Sequence, residues 1–326
     1  MRFFKKFLAG AVLLLLLAFP FVIYFNAQAL TDWWQLRGYS PPAVVSSLTA
    51  QDSMTPYAQH VFFVNQPEIE SNAVQFRDNC GETEKTIILG CYHSNQAGIF
   101  IYDINDPRLA GIQQVTSAHE MLHAAYDRLS SRDRDNVDNM LNSFLANGLK
   151  DQRVIDTINS YRQTEPKDVI NEMHSIFGTE VANLPAPLEQ YYKKYFFDRS
   201  VMTKYAATYE GEFKNREDQI KTYDEQLSSL KSEIDSLEQS LRSELTQINS
   251  DRARLDSLRA SGRIGEYNAG VGTFNVEVNT YNANIIKLRT KITAYNDLID
   301  KHNTIAAELA SLNKAIDTRP TPQSIQ

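Results

Sequence analysis

Two histidines and a glutamate fall within five residues of each other, in His119-Glu120-Met121-Leu122-His123. From Ile112 onward, Val115, Ala118, Leu122, Ala125 and Leu129 recur at the helical period. On such a helix His119 and His123 lie one turn apart on one face, so both imidazoles can reach a single tetrahedral Zn²⁺. Glu120 adjoins the first ligand and is placed to accept a proton from a metal-held water, whose pKa falls toward roughly 7. The bland alternative is an amphipathic helix with two exposed histidines.

A catalytic zinc needs a third protein ligand and an open position. Residues 167–179, Lys-Asp-Val-Ile-Asn-Glu-Met-His-Ser-Ile-Phe-Gly-Thr, supply Glu172 and, as a rival, His174. His174 comes two residues after Glu172 and points to another face of a helix. Asn171-Glu172, then Ser175, then Ile176-Phe177-Gly178-Thr179 resembles the second active-site helix of the thermolysin-like metallopeptidases, the gluzincins. The resemblance covers about 25 residues in two segments. It implies that Glu172 is the third ligand beside His119 and His123, that Glu120 is the catalytic general base, and that the cofactor is Zn²⁺. Asp127, four residues after His123, also matches the family. Ile176 stands where the family carries an Asp that orients a zinc-bound imidazole; Glu180, on the same helical face as Glu172, is the candidate substitute. Such peptidases stabilise the oxyanion with a downstream Tyr or His, for which Tyr191, Tyr192 and Tyr195 are candidates without a motif to choose among them.

The elements that must position these residues are read as follows. Residues 60–64, His-Val-Phe-Phe-Val, are expected as a strand, and residues 86–92 and 98–104 as a hairpin joined by His93-Ser94-Asn95-Gln96-Ala97. Strands ahead of a His-Glu-x-x-His helix are the usual support of a peptidase site. The strand at Ile99-Phe100-Ile101-Tyr102 is a candidate edge for pairing with an extended peptide, and His93 is read as a solvated turn residue. Helical periods continue over 137–149, 154–161 and 167–177, with Glu165-Pro166 between the last two. Leu184-Pro185-Ala186-Pro187 then precedes an aromatic helix with Tyr191, Tyr192, Tyr195, Phe196 and Phe197. Pro41 and Pro42 open a short helix through Leu48.

At the N-terminus Arg2, Lys5 and Lys6 precede a charge-free run over residues 7–25. Nineteen helical residues rise roughly 28 Å, close to the bilayer core. The run reads as a single-pass signal-anchor with a cytoplasmic N-terminus and the bulk of the chain extracytoplasmic; a cleaved signal peptide ending at Ala27-Gln28-Ala29 is the competing reading. Trp33 and Trp34 fit either a membrane interface or packing against the domain. Cys80 and Cys91, the only cysteines, are expected to pair in an oxidising compartment.

After about Val201 the apolar spacing becomes that of a coiled coil. One seam runs through Ile220, Tyr223, Leu227, Leu230, Ile234, Leu237 and Leu241, with a stutter expected at Leu245. A Gly-containing break spans residues 261–272. A second seam then runs from Tyr281 through Ile285, Leu288, Ile292, Tyr295, Ile299, His302, Leu309 and Leu312 to Ile316. The pair reads as an antiparallel hairpin, with one interrupted parallel dimer as the alternative.

The expected fold is therefore α+β: a zincin-like metallopeptidase domain with a small sheet and active-site helices, a long antiparallel coiled-coil hairpin and an N-terminal transmembrane helix. The expected boundaries are 1–25 anchor, 26–45 membrane-proximal linker, 46–205 peptidase-like domain, 206–316 hairpin and 317–326 disordered tail. A net charge of −7 argues against nucleic acid as a partner. A mean hydropathy of −0.39 with so apolar a start leaves a water-soluble remainder and excludes a polytopic membrane protein. The partners expected are a peptide or protein substrate, the membrane, and a protein partner or second copy through the coiled coil. Two rivals stand beside peptide hydrolysis: a structural or regulatory envelope protein whose zinc site is vestigial or structural, and a zinc hydrolase acting on another bond such as a cell-wall amide.

Overall fold

The computed structural model describes residues 26–81 and 87–319. The charge-free run at 7–25 and the last seven residues of the tail lie outside them. Among the described residues no helix is long and apolar enough to cross a membrane. The chain forms two units, one of Met1–Gly211 with Ala315–Gln326 and one of Glu212–Lys314. The division thus falls at 211/212 and again at 314/315, with a return segment that the sequence-based boundaries did not contain.

The first unit is mainly helical. It opens with α1 (Ala27–Leu36), α2 (Ala43–Gln51) and α3 (Pro56–Val64). The last of these replaces the strand expected at 60–64. Thr55 caps it by accepting from the Ala58 N–H at 3.3 Å, and Pro56 at the first turn presets its backbone. That start signal outweighs the β-rich run, because a helix buries Val61, Phe62 and Val64 together in the core. β1 (Glu68–Glu70) and α4 (Ala73–Cys80) lead to the hairpin of β2 (Gly90–His93) and β3 (Gly98–Tyr102).

The sheet has the order β1-β3-β2, with β1 parallel and β2 antiparallel to β3. Two sequence expectations change here. Residues 87–89 are not strand, so the element expected at 86–92 shortens to β2. The strand at 99–102 is central rather than an edge, because β1 and β2 flank it; β1 and β2 are the edges. The Cys80–Cys91 disulfide is present and ties β2 to the end of α4.

Four helices follow: α5 (Ile112–Asp127), α6 (Ser131–Asn147), α7 (Gln152–Thr164) and α8 (Val169–Thr179). Ser130 and Asp151 cap α6 and α7 through the Asp133 and Val154 N–H groups. The short α9 (Ala186–Tyr192) ends before Tyr195, Phe196 and Phe197, which the aromatic-helix reading had included. Helices α5 and α8 pack along one another. A Cβ at Gly178 would overlap Leu122 Cδ1 and stand 2.8 Å from Tyr192 Cε1, so only glycine permits this approach. Arg199 closes the far end of α8, donating to the carbonyls of Phe177, Val181 and Ala182 while pairing with Glu189.

α10 (Ser200–Ala260) and α11 (Ile264–Ile316) are the two long helices. Within the second unit Arg216 pairs with Glu308, Asp224 with His302, Glu233 with Lys291 and Glu244 with Asn284. The partner's number falls as the first rises, so the two helices run antiparallel. The break between them is a turn at 261–263, far shorter than the expected 261–272, and Gly270 and Gly272 are helical. No stutter occurs at Leu245, which is 44% exposed. Glu244 takes the inward position instead, accepting a 2.7 Å bond from Asn284 Nδ2. Ile292 is likewise exposed rather than inward. The chain then returns to the first unit, where Thr318 is 1% exposed. Its hydroxyl donates to the Ile88 carbonyl, and its own carbonyl accepts from Arg77. The disordered tail expected from 317 is therefore ordered at least through Thr318.

Candidate metal centre and its cleft

Helix α5 is almost wholly buried, with Ala118, Met121, Leu122 and Ala125 in the core. The 3.6-residue period that buries this stripe turns His119 and His123 the other way, onto the wall of a cleft of about 450 Å³. Their rings stand 4.7 Å apart. Glu172 of α8 faces them across the helix pair: His119 Nε2 lies 3.5 Å from its Oε2, and His123 Nε2 3.4 Å from its Oε1. One ligand atom from each of the three falls within 4.8 Å of the others. The sequence expected these three together, and they are together.

The donor set fits a divalent cation. Two imidazole nitrogens and a carboxylate converge at separations too long for direct hydrogen bonds, and Glu172 Oε2 is buried with no hydrogen bond placed on it. Burial pushes the Glu172 carboxyl up, but the neighbouring His123 and His119, joined by the Tyr161 hydroxyl, outweigh it and leave the pKa lowered. A carboxylate kept ionised beside two imidazoles is a donor set able to hold a divalent cation.

Glu120 lines the same cleft. Strand β2 runs hard against it: a Cβ at Gly90 would lie 2.6 Å from Glu120 Oε1 and 2.6 Å from Thr116 Cγ2. Glycine there lets the edge strand pass close over the Glu120 carboxylate. Residues 90–94 border the cleft on this side, and Tyr161, Glu165, Asp168 and Asn171 on the other. Leu89 accepts from the Tyr102 N–H, which sets the phase of the ladder. Alternation then aims the main-chain groups of Cys91 toward β3 and those of Gly90 and Tyr92 outward.

Several expected roles move. His174 does not join the ligands; it is fully buried, its Nε2 is 2.8 Å from the Tyr191 hydroxyl, and burial pushes its pKa down to about 3. The three candidate tyrosines surround it in the core. Tyr192 donates to the His174 carbonyl, and Tyr191 and Tyr195 share a 3.1 Å hydroxyl contact. Glu180 is held by Arg153 at 2.7 Å and supports no ligand. His93 is not a free turn residue: its Nε2 lies 2.7 Å from the Asn79 carbonyl, and it borders the cleft. Asp127 reaches the cleft and shares a hydrogen bond with the Tyr92 hydroxyl.

The residue that sequence reading passed over is Tyr161. It projects from α7 to the Glu172 carboxylate, and burial with the charges of Glu172 and Glu120 pushes its phenol pKa well up, so it stays a donor. Its signal was slight: a large aromatic in the last turn of a polar helix, four residues before Glu165.

Compared with known proteins, the chain matches no family model, no curated protein and no solved structure.

Proposed function

We propose that this chain is a membrane-anchored, extracytoplasmic zinc metallopeptidase, with a zincin-like first unit and a coiled-coil second unit. The observation that carries the reading is the convergence of His119, His123 and Glu172 from two helices in a cleft whose wall includes Glu120. A zinc ion bound by those three residues supplies Lewis-acid polarisation of a carbonyl and a water that ionises near neutral pH. Glu120 takes a proton on its carboxylate and returns it to the departing amine. Tyr161 holds the Glu172 carboxylate in place and keeps a hydroxyl proton at the cleft. Edge strand β2, with Gly90 and Tyr92 main-chain groups outward, aligns an extended peptide by strand addition, so amide-backbone substrates are favoured over sugar or lipid ones. The Cys80–Cys91 bond agrees with an oxidising compartment, and residues 7–25 supply the anchor.

The test is metal analysis joined to peptide-library cleavage on the full chain. Wild type should carry about one zinc per chain and cleave. Glu120→Gln should keep the metal and lose at least about 10²-fold in rate, the size of a general-base contribution. His119→Ala or His123→Ala should lose the metal. Equal cleavage by Glu120→Gln and wild type would sink the mechanism, and zinc without any hydrolysis would favour a structural role for the site.

A further inference from the structure

Helix α1 turns its polar face to the protein and its apolar face outward. Gln28, Asp32 and Gln35 share the inner face. Asp32 is 6% exposed and accepts from Gln28 at 2.9 Å, from Gln96 at 2.5 Å and from both Arg128 terminal nitrogens at 2.8 and 2.9 Å. His60 Nε2 lies 2.7 Å from its second oxygen, and Gln35 donates to the Gln96 carbonyl. On the opposite face Leu30, Trp33 and Trp34 are 49%, 59% and 65% exposed. The Arg37 guanidinium stands 5.5 and 6.0 Å from the two indole centroids. Among the described residues, neither tryptophan is packed into the core.

Such a helix gains nothing by facing water. It does gain at a bilayer surface, where indoles settle at headgroup level and an arginine extends to lipid phosphate. The chain itself indicates the occupant: the charge-free run over residues 7–25 ends two positions before Ala27, where α1 begins. The inner face leads directly to the cleft. Arg128 follows the last residue of α5, and Gln96 lies in the turn between β2 and β3. Gln28 and Thr31 line a depression together with Tyr92 and Asp127, both of which also border the cleft.

We propose that Leu30, Trp33, Trp34 and Arg37 form a lipid-contact surface seated in the bilayer headgroup layer, and that the Asp32 clasp holds the cleft beside it. This rests on residues 7–25 as the anchor and not on the chemistry of the cleft. Substrates would then be chain segments lying close to a membrane.

Trp33 and Trp34 are the only tryptophans, so fluorescence excited selectively at tryptophan, beyond the absorption of the tyrosines, reads this surface alone. The chain is reconstituted into phosphatidylethanolamine–phosphatidylglycerol vesicles. Quenching by lipids brominated near the headgroup end of the acyl chain should exceed quenching by aqueous iodide several-fold, in wild type and in Trp33→Phe and Trp34→Phe alike. Vesicle flotation reads the anchor separately. A chain that floats with iodide-quenched, lipid-insensitive tryptophans overturns the surface and leaves the anchor; one that does not float overturns both. The clasp is read by energy transfer to a dansyl headgroup lipid from a Ser94→Trp reporter in a Trp33→Phe/Trp34→Phe background. Transfer should fall several-fold on adding Asp32→Ala. Transfer that is absent, or indifferent to Asp32→Ala, overturns the clasp. Neither readout involves hydrolysis, so failure of the peptidase reading would stand apart.

Discussion

The first unit and the helical hairpin bury apolar surface in different ways. In the first, Phe62, Phe76, Phe177, Tyr192 and Tyr195 are fully enclosed by residues distant in sequence. In the second, the tightest side chains are single leucines along a seam, Leu241, Leu255, Leu298 and Leu312, and most inward positions stay half-buried. Polar pairs cross the hairpin at Arg216–Glu308, Glu233–Lys291 and Glu244–Asn284. A three-dimensional core holds groups from several elements to a fixed geometry, which a metal centre requires. A two-helix seam fixes register and length, and tolerates polar residues along its course.

The largest expected effect comes from cutting the chain in two places. Truncation after Arg199 removes Tyr205, which packs on Gly111, and Glu210, which pairs with Arg153. It also removes the buried Thr318. Such a chain should be insoluble or metal-free. Deleting 212–314 and joining the ends with a short flexible linker keeps all of these contacts and should retain zinc and a cooperative melt. If the truncated chain melts and binds zinc as the excised one does, the first unit ends earlier than the contacts indicate.

Glycine substitutions sharpen the contrast. Gly178→Ala forces a Cβ between Leu122 and Tyr192 and should cost about 1–3 kcal/mol, the usual range for overpacking. Gly272→Ala meets nothing within 4 Å in a helix and should stabilise the hairpin by about 0.5–1 kcal/mol. Denaturant melts of each variant decide the signs; two changes of the same sign would remove the distinction.

A buried acid gives a smaller, pH-dependent effect in the first unit. Burial pushes the Asp52 carboxyl well above its ordinary value, despite a 2.5 Å bond from Ser117 that acts the other way. An acid whose folded pKa is raised contributes most below its unfolded pKa, about 3.9, and loses that contribution as pH climbs toward the folded value. Asp52→Asn keeps the shape and removes the titration. Its stability should match wild type near pH 4 and exceed it progressively toward neutral pH. Parallel stability–pH curves would refute the assignment. The smallest effect belongs to the hairpin surface: Lys291→Ala breaks the pair with Glu233, partly exposed on both sides, and should cost at most about 0.5 kcal/mol.

The residues most legible in the sequence are those whose geometry is local. His119 and His123 are one helical turn apart whatever surrounds them, and the hairpin seams follow from a period. Glu172 was legible only by resemblance, since nothing in its own segment says which helix faces it. Tyr161, the inner tyrosines around His174 and the central place of Ile99–Tyr102 depend on contacts between distant segments, so spacing alone could not place them. Residues 60–64 misled because side-chain type favoured a strand, whereas Thr55-Pro56 just upstream started a helix. Leu245 misled in the opposite way: an apolar residue was given the seam, and Glu244 took it through a partner forty residues away.

The return of the chain at Ala315 has a consequence in time. Thr318 contacts Ile88 and Arg77 across separations of 230 and 241 residues, far longer than the local contacts that assemble α5 and the β2–β3 hairpin. A chain made from its N-terminus therefore completes both long helices before it can set this clasp. Ile88 borders the cleft, so the rim beside β2 is finished only after both long helices have been made. Thr318 thus acts as a delay on this part of the rim, which waits for a segment that follows both long helices in the order of synthesis.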